Sequence, residues 1–230
     1  VTVKDYLNLN KSTKYNYRLY KTGVTFPEQK KSLILDPYYV GIMLGDGSLK
    51  NRVAITTMDE EIEEYFCEYS LSIGGGLHIN KDAKKNNKAS SYYASQKVGS
   101  KTQNPISEKF EQIGLNGKTC GNKFIPHRYK TASREDRLQL LAGLLDTDGC
   151  LSSSGTLFTL SSKSKQLAED TAFVARSLGL YASPVERFKV PSICDNDYYR
   201  VRISGDVDII PCKLGRKKGN PRRCNRDPLT

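Results

Sequence analysis

The chain is written twice, and an internal repeat constrains a fold more than any local preference does. Asp36-Pro37 opens an apolar run, residues 38–44, that closes on Gly45-Asp46-Gly47-Ser48-Leu49. Later, Ser133-Arg134-Glu135-Asp136 opens a second run, residues 138–145, that closes on Asp146-Thr147-Asp148-Gly149-Cys150-Leu151. Each opening carries helix-start chemistry: an Asp cap with Pro at the first helical position, then a Ser cap with an acid three residues on. Each closing sets Gly directly after Asp, which reads as a helix stop.

The segments beyond the two runs also match. Residues 53–57 and 156–160 read as strands, 59–72 and 163–177 as helices ending near Gly74 and at Gly179. Strand-like stretches come after them, at 77–80 and 91–98 in the first half and at 181–190 and 198–204 in the second. Short helical segments come next, at 106–113 and 207–214. Both halves then carry Lys-x-x-Pro, as Lys123-Phe124-Ile125-Pro126 and Lys218-Gly219-Asn220-Pro221. The expected architecture is α+β, with two tandem αββαββα units related by pseudo-symmetry. Residues 1–31 fall outside the repeat as an extended arm or linker rich in Tyr and Lys. The first unit spans 32–128, and the second spans 129–230 with a basic tail.

Spacing within the runs explains why the repeat matters chemically. Gly41 and Gly45 are four apart and share a helix face; their repeat partners are Gly143 and Thr147. Small residues there let two helices pack backbone to backbone. If the helices run side by side, their C-terminal ends meet and bring Asp46 together with Asp148, 102 residues away (148 − 46). Two carboxylates at two helix C-termini repel one another unless a cation intervenes. Hard oxygen donors of this kind suit Mg²⁺, and the carbonyls of Gly45 and Thr147 are candidate further ligands. Lys123 and Lys218 are candidates for positive charge beside a scissile phosphate.

Composition fits a polyanionic partner: 36 Lys and Arg against 25 Asp and Glu give a net charge of +11. No apolar run is long enough to span a bilayer, so no membrane partner is expected. The six cysteines form no Cys-x-x-Cys pair and have no His at zinc spacing, which fits reduced thiols and an intracellular setting (nucleus or organelle in a eukaryote). An EF-hand fails because position twelve from Asp146 is Leu157. An aspartic protease fails because Asp146-Thr147-Asp148 lacks the Asp-Thr-Gly order.

With those residues in hand, Tyr39-Val40-Gly41-Ile42-Met43-Leu44-Gly45-Asp46-Gly47 and Leu141-Ala142-Gly143-Leu144-Leu145-Asp146-Thr147-Asp148-Gly149 resemble the two copies of the LAGLIDADG motif. The first departs at Leu44, where the pattern has its earlier, non-catalytic Asp. The resemblance covers residues 32–223. It implies a site-specific double-strand DNA endonuclease, a homing endonuclease, with Asp46 and Asp148 as metal-binding catalytic acids. It further implies Mg²⁺ as cofactor, with Mn²⁺ able to substitute, and a monomer on a long duplex site. Lys123 to Tyr129 and then Ser133 to Leu138 resemble the run into the second motif of intein-type members, which implies Lys123 as one catalytic lysine. Lys218 is the repeat-related candidate for the other, contested by Lys217 and Lys213. Self-splicing chemistry is not expected, because no N-terminal Cys or Ser nucleophile and no C-terminal His-Asn is found. The alternatives on the same scaffold are a non-cleaving DNA-binding regulator and an RNA-splicing maturase.

In the family, the strands of both units form a saddle that reads the DNA major groove. Arg200, Arg202 and Ser204 alternate with Val201 and Ile203, giving a basic face and an apolar face. Arg187 and Lys189 flank Phe188 in the same way. In the first half Arg52, Ala54 and Thr56 oppose Val53 and Ile55, while Tyr93, Ser95 and Lys97 share a face. Lys84 and Lys85, in a loop with Lys81 and Lys88, suit phosphate contact. So do Arg222 and Arg223 in the tail.

Overall fold

The computed structural model describes residues 1–17, 22–28, 32–83, 89–96, 103–189 and 197–221. The chain opens with two short helices, α1 (Val3–Asn8) and α2 (Lys11–Asn16). This differs from the extended arm expected there, and the reason is local. Thr2 and Asp5 form a reciprocal capping box, and Asn10 caps α2 through Thr13 N–H.

The first unit runs α3 (Pro37–Leu44), β1 (Gly47–Ser48), β2 (Ala54–Thr57), α4 (Glu60–Ser72), β3 (His78–Ala83), β4 (Ser90–Ser95) and α5 (Pro105–Gln112). A one-turn helix, α6 (His127–Lys130), leads into the second unit. That unit comprises α7 (Arg134–Asp148), β5 (Gly149–Leu151), β6 (Leu157–Ser162), α8 (Lys165–Ser177), β7 (Tyr181–Ala182), β8 (Glu186–Lys189) and β9 (Asp197–Ser204). The strands form two antiparallel sheets, ordered β1-β2-β4-β3 and β5-β6-β9-β7, with β8 also paired to β9. The caps act as expected: Asp36 accepts from Tyr39 N–H at 3.1 Å and Ser133 from Asp136 N–H at 3.0 Å.

Three differences from the sequence reading have physical causes. Residues 207–214 hold only a 3₁₀ turn at Val207–Ile209, because Pro211 cannot continue a helix and disfavours α geometry at Ile210. Its counterpart α5 is a full helix, with Asn104 capping Ile106 N–H at 2.9 Å and Pro105 at the first position. The strand expected over 181–190 splits in two around Pro184. Ala182 pairs with Ile203 but Glu186 with Arg200, so the register slips by one residue, a β-bulge. Finally, β5 follows α7 with no residue between them, and only Gly45 and Asp46 separate β1 from α3.

The core is built on α3 and α7. All eight residues of α3 are buried, as a helix apolar all round must be. The two helices touch backbone to backbone. A Cβ on Gly41 would stand 2.4 Å from the Leu140 carbonyl, and one on Gly143 would stand 2.4 Å from the Tyr38 carbonyl. The contact is reciprocal, as a two-fold relation between the halves requires. Residues 22–28 pack on the second unit rather than the first. The guanidinium of buried Arg137 donates to Val24 O at 2.7 Å and to Ser177 O at 2.9 Å, and it lies over the Phe26 ring.

Candidate metal and DNA site at the paired helix ends

Asp46 follows Gly45, the C-cap of α3, and Asp148 ends α7. Gly47 and Gly149 then turn the chain into β1 and β5. Gly149 has φ −79°, so it is not there for a left-handed backbone. It is there for space: a Cβ on Gly47 would stand 2.4 Å from Met43 O, and one on Gly149 would stand 2.5 Å from Leu145 O. The glycines let a strand start within the shadow of the last helical turn.

Because Gly41 and Gly143 seat the helices so closely, the ends converge. A Cβ on Gly45 would lie 3.5 Å from the carboxyl carbon of Asp148 and collide with the Thr147 hydroxyl, which instead bonds back to Gly143 O at 2.9 Å. Burial pushes the Asp148 carboxyl up to about 6, and the nearby charge of Asp46 adds to the rise while Lys123 and Lys217 oppose it. Asp46 is more exposed, yet the protein packed around it also raises its carboxyl, against the pull of Lys217 and Lys123.

Each helix end is closed by a buried lysine. Lys123 Nζ donates to the carbonyls of Met43, Leu44 and Gly45 at 2.9 Å and of Gly47 at 2.7 Å. An ammonium has three N–H groups, so two of these four acceptors share one. Lys217 Nζ donates to Leu145 O at 2.9 Å, Asp146 O at 2.5 Å and Thr147 O at 3.2 Å. The acceptor sets 43, 44, 45 and 145, 146, 147 are repeat partners. Both lysines satisfy orphan carbonyls and oppose the negative end of a helix. Burial lowers both, Lys123 to about 8, with Asp148 and then Asp46 pulling it back up.

The structure therefore places Lys217, not Lys218, opposite Lys123. Lys218 is exposed and outside this cluster. The Lys-x-x-Pro match misleads because the second half has one residue more between its buried lysine and Pro221. Leu214 leads directly into a 3₁₀ turn, Gly215–Lys217, that carries Lys217 inward. The carbonyls of Gly45 and Thr147 already accept from these ammoniums, so a cation using either oxygen would share it or displace a lysine. Asp146 is fully buried and satisfied by Tyr38 Oη at 2.7 Å and Lys213 N–H at 2.7 Å, which marks it as structural.

A cavity of about 200 Å³ adjoins the Lys123 side. Asp148, Lys163, Ser161, Tyr198 and Cys120 help to line it. Spacing gave no sign of Lys163, Tyr198 or Cys120. On the Lys217 side, Arg216 grips Asp59 in a bidentate pair at 2.6 and 2.8 Å. Among the described residues no three His, Cys, Asp or Glu side chains cluster as a metal cage.

The expected DNA-contact residues divide. Arg200 and Arg202 share the outer face of the second sheet with Thr159 and Ser161, their strand partners. Arg202 pairs with Glu186 at 2.9 Å, and Arg200 lies over the Phe188 ring. Arg187 and Lys189 alternate with Phe188 but lie on the face opposite Arg200 and Arg202: the bulge at 183–185 inverts the phase, so Arg187 meets Tyr199 and Phe188 joins Arg200. Arg187 pairs with Asp197 at 2.7 Å. Arg52 stacks on Tyr93 and pairs with Asp82 at 3.0 Å. Lys84, Lys85, Lys97, Arg222 and Arg223 lie outside the described residues.

Comparison with known proteins fits this geometry. Residues 135–210 match the family described as LAGLIDADG-like domain. A SufBD family iron–sulfur cluster assembly protein of Mycobacterium leprae is 30% identical over 117 residues, covering 48% of this chain and 13% of that protein. The replicative DNA helicase DnaB of Mycobacterium intracellulare is 30% identical over 150 residues, covering 65% and 20%. The replication factor C small subunit of Methanocaldococcus jannaschii is 26% identical over 175 residues, covering 74% and 9%. The chain thus spans a fifth or less of the length of these relatives. Among solved structures, mesophilic variants of the homing endonuclease I-DmoI superpose with TM-score 0.52 at 15% identity, over 74% of this chain and 88% of that one. I-DmoI in complex with DNA and Mn superposes with TM-score 0.53 at 16% identity, over 74% and 89%. Residues 135–210 thus carry a LAGLIDADG-like domain, and the two motif copies packed through Gly41 and Gly143 sit in the fold of these solved structures.

Proposed function

We propose that this chain is a site-specific endonuclease that cuts both strands of duplex DNA with a divalent cation, Mg²⁺ first and Mn²⁺ as substitute. The observation that carries it is the meeting of Asp46 and Asp148 at two glycine-packed helix ends, each beside a buried lysine. The donor set fits such a cation. Burial raises both carboxyls, and the charge of Asp46 raises Asp148 further, so both gain from a positive charge between them, and two alone leave room for phosphate oxygens and water, as Mg²⁺ prefers.

When bound, the cation supplies a more acidic water and charge stabilisation for the leaving oxygen. The protein's own groups do the rest. Asp46 and Asp148 hold the cation. Lys123 and Lys217 fix the helix ends and add positive charge beside the strands to be cut. Arg200 and Arg202 sit on a sheet face suited to base edges, and Arg52 lies outward beside Tyr93. One chain supplies both halves, so a monomer suffices. The curated relatives do unrelated work and share with this chain only a minor segment, so the resemblance attaches to that segment and not to cluster assembly or replication. The fold shared with I-DmoI, which has been crystallised with DNA and Mn, supports the same reading.

The test is a cleavage selection: a randomised duplex library, with Mg²⁺ or with EDTA, and sequencing of cut ends. Metal-dependent double-strand breaks at one long site are expected. Enrichment by binding with no cut ends would instead identify a non-cleaving regulator. Neither result, with preference for structured RNA, would identify a maturase.

A further inference from the structure

We propose that Ser164 is a positioning residue for cleavage: from the second half, its hydroxyl holds the backbone of Lys123, so that the Lys123 ammonium stays on the first half's motif helix beside Asp46. The inference rests on the endonuclease reading and goes beyond it, because the two motifs assign no role to α8.

Lys123 is stretched between two anchors. At its far end the ammonium donates to Gly45 O and Gly47 O, the carbonyls on either side of Asp46, as well as to Met43 O and Leu44 O. Those bonds fix the backbone from which the Asp46 carboxylate extends. A lysine stem is long and flexible, so its ammonium is only as well placed as the backbone behind it.

The near anchor belongs to the second half. Ser164, the N-cap of α8, is buried; it donates to Lys123 O at 2.6 Å, and its oxygen accepts from Leu167 N–H at 3.2 Å. A hydroxyl has a single proton, and here that proton is committed to the lysine's carbonyl. Two residues on, Ile125 N–H donates to the buried Asp170 carboxylate of α8 at 2.9 Å, and Lys130 holds the same carboxylate at 2.6 Å. The segment 123–130 is thus pinned along α8, although its lysine serves α3. Arg216 makes the converse crossing. It precedes Lys217, which serves α7, yet its guanidinium grips Asp59, the residue before α4 of the first half. That pair holds a neighbour's exposed side chain, whereas Ser164 holds the lysine's own backbone.

The experiment uses the full chain and the duplex recovered by cleavage selection, under single-turnover conditions with Mg²⁺ and saturating protein. Ser164→Ala is expected to slow double-strand cutting about tenfold, while gel-shift affinity changes less than about threefold. Ser164→Thr keeps the hydroxyl and should stay within about threefold of the wild-type rate. Thr171→Val is the control for α8 itself: it removes a buried bond within the helix, Thr171 Oγ1 to Leu167 O at 2.7 Å, and should leave the rate within about twofold. No slowing by Ser164→Ala, equal slowing by Ser164→Thr or Thr171→Val, or a loss that tracks affinity would overturn the role of Ser164. A wild-type protein that binds the duplex but cuts neither strand would overturn the endonuclease reading itself.

Discussion

In the first half, the helix that ends at Asp46 is wrapped in tyrosines. Tyr39 packs on Phe66 and Tyr69, Tyr38 meets Tyr65 edge-on, Asp36 accepts from Tyr65 Oη, and Tyr39 shares a hydrogen bond with Ser70. In the second half, the helix that ends at Asp148 packs on β6 and α8, whose buried residues are mostly aliphatic: Leu160, Leu167, Ala172, Val174 and Ala175, with Phe158. The Leu44 position of one motif is the buried, three-bonded Asp146 of the other. Yet the lysine-to-carbonyl clamps share three matching acceptors, 43–45 and 145–147, with Gly47 O added on the Lys123 side. The backbone contact and the capping are common to both halves, while side chains around them are free to differ. Near the site, the halves differ in the side chains around the shared clamps: a small cavity adjoins Lys123, and an Arg216–Asp59 pair lies on the Lys217 side.

The largest expected effect concerns the features that the halves share. Asp46→Asn and Asp148→Asn should each lower double-strand cutting about a thousandfold or more while leaving affinity within about fivefold. Plasmid linearisation with a parallel gel shift measures both. Normal cutting by either variant would show that one half works alone and would break the metal assignment. Next comes the shared packing. Gly41→Ala and Gly143→Ala each press a methyl into a facing carbonyl at 2.4 Å, so each should cost about 3 kcal/mol or fail to fold. Urea unfolding giving clearly unequal costs would show that the contact is not reciprocal in solution.

The features legible in the sequence are those with local chemistry: the Asp36 and Ser133 caps, the buried apolar runs, the small residues at Gly41 and Gly143, and the pairing of Asp46 with Asp148. The features it hides are all through-space. No spacing rule finds Lys217, because a 3₁₀ turn rather than the Lys-x-x-Pro match decides which lysine turns inward. The bulge at 183–185 inverts Arg187 and Lys189, since a single extra residue changes the face of everything beyond it. Arg216 reaches Asp59 across 157 residues, and Arg137 reaches Val24 across 113, distances over which sequence carries no pairing signal.

A third prediction separates the carboxylates by pH. Asp148 in the folded, metal-free protein titrates at about 6 against an ordinary 3.8, so its ionised form is disfavoured by folding. The stability it contributes is fully present below about pH 3.8 and is lost as pH rises through about 6. Asp148→Asn should therefore raise the stability of the metal-free protein at pH 7 by on the order of 1–3 kcal/mol, with little gain near pH 4. Thermal unfolding in EDTA from pH 4 to 7.5 reads this directly. A constant difference between wild type and variant across that range would remove Asp46–Asp148 repulsion and burial from the account.

The smallest effect tests the unlike side chains. Asp59 and Ser164 occupy matching positions before α4 and α8, yet only Ser164 makes a cap hydrogen bond. Ser164→Ala should cost about 1–2 kcal/mol, since it removes the cap and leaves Lys123 O without its donor. Asp59→Ala removes only a pair whose arginine is 57% exposed, so its cost should stay under about 1 kcal/mol and shrink in salt. Its consequence lies in binding. With Asp59 gone, Arg216 loses the carboxylate it grips and is free to meet a phosphate. One more phosphate contact should then steepen the fall of log affinity with log salt by about 0.9. Unchanged salt dependence would mean that Arg216 stays clear of the DNA even when released.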